Sequence, residues 1–243
     1  MWDFPQRNLA RRDRVEPSRG LMDVATLETQ TEPFLATFWR RGCETSTRHR
    51  NPLFGPFTGV TPANIGLDWL HILCLGIIQQ FLMSLVWDCI NCNVYNVLGS
   101  LSAKHELTIN RMRGQLSEWY LAERQIGESH TEVQQLLPAL FGTNSARAFR
   151  LHAAETNGFL KFTASAMHHW VRLGAKHLHY MRGAAALISI IDAIRDYPMK
   201  FPAPAQMRFV EDVCTVFRAC ETLDLPFTSK HHFLAEMAAR YNV

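Results

Sequence analysis

The chain has 243 residues, of which 47% are apolar and 19% charged, with a net charge of +3. That length can bury a substantial core in one large or two small domains, and the composition excludes a disordered chain. A pI near 8.6 permits contact with nucleic acid without the clustered excess of a dedicated binder.

Residues Met1–Gly20 carry arginines but no apolar stretch, so they read as neither a signal peptide nor a membrane span. Apolar positions at helical spacing over Asp23–Arg40, interrupted at Pro33, predict one or two short helices. The basic group Arg40, Arg41, Arg48 and Arg50, with His49, then precedes a proline-rich loop. It reads either as a solvated linker or as a patch contacting phosphates. Residues 1–50 are thus a basic, helical extension and linker, 51–100 a second unit, and 101–243 a third.

The second unit opens with Pro52, Gly55, Pro56, Gly59 and Pro62, which break regular structure. Asp68 and His71 follow, three residues apart, at the head of an apolar run from Ile72 to Trp87. A buried charge costs several kcal/mol unless it is paired or coordinated. Asp68 either caps the coming helix by accepting bonds from its first amides, or is a metal-binding carboxylate oriented by His71. The run falls short of the roughly 20 residues that a bilayer span needs and contains Gln79, Gln80 and Ser84, so a buried helix is expected.

Cys89 and Cys92 have the spacing of a zinc or redox pair, but no second pair stands at a suitable distance, and they fall late in an apolar helix. Two buried thiols are expected and no zinc. All six cysteines read as reduced thiols of an intracellular protein.

From Leu101 onward helix predominates. Leu107, Met112, Leu116, Trp119 and Tyr120 mark one amphipathic helix. Ser129 or Thr131 is expected to cap a second over TEVQQLLPALFG, ending at Gly142. One long helix or two follow over Ser145–Gly174, with Ala153, Ala154, Ala164 and Ala166 allowing close packing. Another stops at Pro198, Met199–Gln206 reads as a Pro-rich connector, and a further amphipathic helix runs from Met207 to Leu225. His168, His169, His177 and His179 fit no metal signature, and no zincin, nucleotide-loop or serine-hydrolase motif occurs.

Asp68, Leu70, His71, Leu75 and Gly76 fill a D-x-[ML]-H-x-x-x-L-G pattern behind a proline-rich loop. The stretch resembles the D-x-x-H segment of eukaryotic DDE-type, CACTA-like transposases. A second point of resemblance is L-P-x-x-x-K-x-H, with Pro226, Lys230 and His232 in place and Glu236 where a second histidine is common. Leu151–Phe162 also looks like the insertion helix that precedes this run. The resemblance implies a small remnant of a ribonuclease-H-like core around Asp68, followed by a helical insertion domain, in a mainly α chain. It further implies Mg²⁺ or Mn²⁺ at Asp68, DNA as partner, room for self-association, no membrane, and a nuclear location. A third acid is expected beyond Val243, and no strand hairpin bearing the first acid is evident upstream. The expectation is therefore a transposase-derived chain that is catalytically incomplete by itself. The alternative is a helical scaffold or protein-interaction domain without chemistry.

Overall fold

A computed structural model describes residues 70–197 and 201–240. Among them the fold is mainly helical, and the sole β-type pairing is an isolated bridge between Gly142 and Arg147. The helices are α1 (Ile78–Asn91), α2 (Leu101–Gln125), α3 (Ala153–Ala166), α4 (Ala175–Asp196), α5 (Ala203–Thr222) and α6 (Ser229–Arg240). A wide π-helical segment, Leu70–Ile77, runs directly into α1.

α1 is the hub. Phe81, Leu82, Leu85, Val86 and Ile90 are all fully buried, and one continuous core joins them to side chains from every other helix. Burying each side chain of this size contributes roughly 1.5–3 kcal/mol. The segment His71–Asn91 has the length and apolarity to cross a bilayer, and here it forms the centre of the bundle.

Its sequence also accounts for the wide turns. Leu73, Ile77, Phe81, Leu85 and Cys89 recur every four residues and are all buried. In an α-helix of 3.6 residues per turn, a four-residue stripe drifts by about 40° at each repeat. A π turn closes one residue later and drifts the other way, so an initial wide segment keeps Ile72, Leu73 and Ile77 on the core side.

Around this hub the amphipathic helices lie as their periodicities dictate. On α2, Ile109, Met112, Leu116 and Tyr120 face inward. Leu107, expected on that face, is 45% exposed, and Ile109 takes the place instead. Ser100 caps α2 by accepting from Ala103 N–H. The most extensive helix pairing is α4 on α5. There Gly183 stands against Phe81 and Ala219, where an added Cβ would lie 2.7 Å from the Phe81 ring and 3.1 Å from Ala219. Close packing through small residues is thus centred on α4, whereas Ala154 on α3 is exposed.

Three expectations are corrected. The helix expected from Ser145 begins only at Ala153, because residues 145–152 carry the bridge partner Arg147 and no helix. No α-helix forms over 131–142; the chain there is irregular, with one short 3₁₀ turn at Pro138–Phe141. Pro138 lacks an N–H and holds Leu137 extended, and Gly142 adopts φ +72°. The connector ahead of α5 is also shorter than expected. Pro202 is the cap, and Ala203-Pro204 already form the first turn, where a proline costs nothing.

Candidate functional site

The sequence points to two stretches, and the structure brings the described parts of both together. Lys230, in the first turn of α6, lays its chain across Gly76 and donates from Nζ to the Leu75 carbonyl at 2.8 Å. Gly76 makes this possible, because a Cβ there would collide with the Lys230 chain and stand 2.9 Å from the His71 carbonyl. Partial burial lowers the Lys230 pKa. His71 is exposed on the first turn of the wide segment, and His232 is half-buried on α6. Asp68, Arg40, Arg41, Arg48 and Arg50 lie outside the described residues, as does the side chain of Glu236.

His231 is the buried neighbour of these positions. Its Nδ1 accepts from Thr228 N–H at 3.1 Å, which leaves Nε2 to carry the proton toward Cys220 Sγ at 3.8 Å. Burial, helped by nearby His232, pushes its pKa down to about 4, and burial pushes the Cys220 thiol up to about 12. Both groups are neutral near pH 7, so the pair holds α6 in place and is no thiolate nucleophile.

A second polar centre lies at residues that no sequence motif marks. Asp88, a buried residue of α1, accepts from Lys176 Nζ at 3.0 and 2.9 Å and from Tyr180 Oη at 2.7 Å. Ser84 Oγ stands 3.0 Å from the same phenol. Burial, then the bond to Asp88, raises the Tyr180 pKa, so the phenol stays a donor. The cluster borders an open cavity of about 300 Å³ shared with Gln80, Arg147 and Asp224. The Arg147 guanidinium lies 5.4 Å from the Trp87 ring centroid. The available signal was helical spacing: Ser84 and Asp88 stand four apart, and so do Lys176 and Tyr180.

Of the two thiols expected to be buried, Cys89 is buried with its pKa raised by burial, whereas Cys92, capping the end of α1, is only half-buried. No disulfide joins the described cysteines. His168 Nδ1 and His177 Nε2 are engaged with backbone carbonyls, Ser165 at 2.6 Å and Met167 at 2.9 Å. Among the described residues, no three His, Cys, Asp or Glu side chains converge as metal ligands. No protein-family model, curated protein or solved structure matches the chain.

Proposed function

We propose that the chain is transposase-derived, of DNA-binding and phosphoryl-transfer ancestry, and that by itself it performs no strand transfer. The observation that supports this reading is the seat of Lys230 on Leu75 and Gly76. The two stretches resembling transposase motifs are 155 residues apart at this contact, and they pack against each other as parts of one site would. On this reading the helical insertion domain, 101–243, packs its last helix back against a ribonuclease-H-like remnant around Asp68. Asp68 is a residual Mg²⁺ or Mn²⁺ ligand, His71 orients it, the arginines at 40, 41, 48 and 50 contact phosphates, and the protein acts in the nucleus.

Isothermal titration with Mn²⁺ tests the assignment. Wild type is expected to bind one ion weakly, and Asp68→Asn is expected to lose that binding. Equal heats from both would favour the rival reading, a helical scaffold without chemistry. One observation favours that rival: the buried carboxylate of Asp88 is committed to an interhelical network with Lys176 and Tyr180.

A further inference from the structure

The wide segment Leu70–Ile77 is eight residues long, whereas π geometry occurs mostly as a single-turn bulge. Such a run persists only where its surroundings select it. The apolar stripe favours it, and a second contact does so from outside the helix. Lys230 Nζ donates to the Leu75 carbonyl within the segment, and its aliphatic stem fills the space left by Gly76. A tighter α register would turn these backbone groups. Each residue of register lost rotates everything upstream by about 100°. The Leu75 carbonyl would leave Lys230, Ile72 and Leu73 would leave the core, and Cys74 and His71 would point elsewhere.

We infer that Lys230 is a positioning residue, which clamps the π register of the helix entering α1 and so fixes the direction in which His71 is presented. The clamp acts across the packed pair α6 and Leu70–Ile77. The inference stands on this contact alone, independent of whether Asp68 binds a metal.

Cys74 reports on the register, since it lies inside the segment and is half-buried. Cys214, half-buried on α5, is the internal reference. Alkylation of the folded full chain, read cysteine by cysteine by peptide mass spectrometry, gives both rates in one sample. Lys230→Met is expected to change the Cys74 rate by about fivefold or more and leave Cys214 unchanged. Lys230→Arg, which can still donate to the carbonyl, is expected to restore the wild-type rate. If Lys230→Met does not fold, Gly76→Ala removes the same seat and is expected to give the same change at Cys74. A Cys74 rate matching wild type in the folded variants would overturn the inference. So would Cys74 and Cys214 accelerating together, which would mean general loosening and not a turned helix.

Discussion

The Tyr180 hydroxyl donates to Asp88 across 2.7 Å, joining α4 to the central helix between residues 92 positions apart. Lys176, one turn earlier on α4, supplies the charge on the same carboxylate, but its side chain is 47% exposed against 12% for Asp88. Solvent weakens the ion pair more than it weakens the phenol's bond. Tyr180→Phe is expected to cost about 2 kcal/mol, because a buried carboxylate loses a donor. Lys176→Met is expected to cost about 1 kcal/mol or less. Urea unfolding of the two variants checks the order, and a larger loss from Lys176→Met would contradict it.

Acid should release α6. The His231 imidazole has an ordinary pKa near 6.5 when unfolded and about 4 when folded, so the fold favours its neutral form. Its contribution is fully present above pH 6.5 and is lost as the pH falls toward 4. The difference amounts to about 3 kcal/mol. Urea midpoints measured between pH 8 and pH 4 should fall more steeply for wild type than for His231→Gln. Parallel curves would show that His231 is not the group responsible.

Gly183 admits no side chain without displacing the Phe81 ring. Gly183→Ala overpacks the α1–α4–α5 junction and is expected to cost about 1–3 kcal/mol, in spite of alanine's better helix propensity. Thermal melts of this variant and of Gly114→Ala, where an added Cβ meets open space, separate the two effects. The latter should stabilise or do nothing.

Gly142 is held at φ +72°, ψ −146°, and a Cβ there would strike the backbone carbonyl of Ala146. Gly142→Ala is expected to cost about 1–3 kcal/mol or more. An unchanged denaturation midpoint would mean that the turn rearranges freely.

The long helices were legible because apolar residues recur at helical spacing and their stops are chemical: Ser100 at the head of α2, Gly174 ahead of α4, and the break after Asp196. Residues 131–152 depart from the helical expectation for a reason of the same kind. Val133, Leu136, Leu137 and Leu140 imitate a helical face, but Pro138 and Gly142 dictate local geometry, and the backbone is satisfied by tertiary partners instead, the Tyr120 hydroxyl accepting from Val133 N–H and the Trp87 indole donating to the Phe141 carbonyl. The wide turns before α1 were hidden because a four-residue stripe reads as ordinary helix until its partners are known. Asp88 belongs to no motif and stands in an apolar run beside the more conspicuous Cys89 and Cys92. Its partners stand 88 and 92 residues away, a distance over which no local pattern operates. Lys230 stands out in the sequence only by resemblance, and its contact with Leu75 is a fact of the packing.

The irregular stretch between α2 and α3 is tied down from three places. Tyr120 Oη accepts from Val133 N–H at 3.1 Å, the Trp87 indole donates to the Phe141 carbonyl at 3.0 Å, and Gln79 donates to the Leu151 carbonyl at 2.8 Å. A long surface connection without helix is ordinarily where proteases cut first. Here the buried Leu136 and Phe141 side chains and these three anchors bind it to the central helices. Limited trypsin digestion should therefore spare Arg147 and Arg150 until the whole bundle opens, and the strap should yield together with the core it spans.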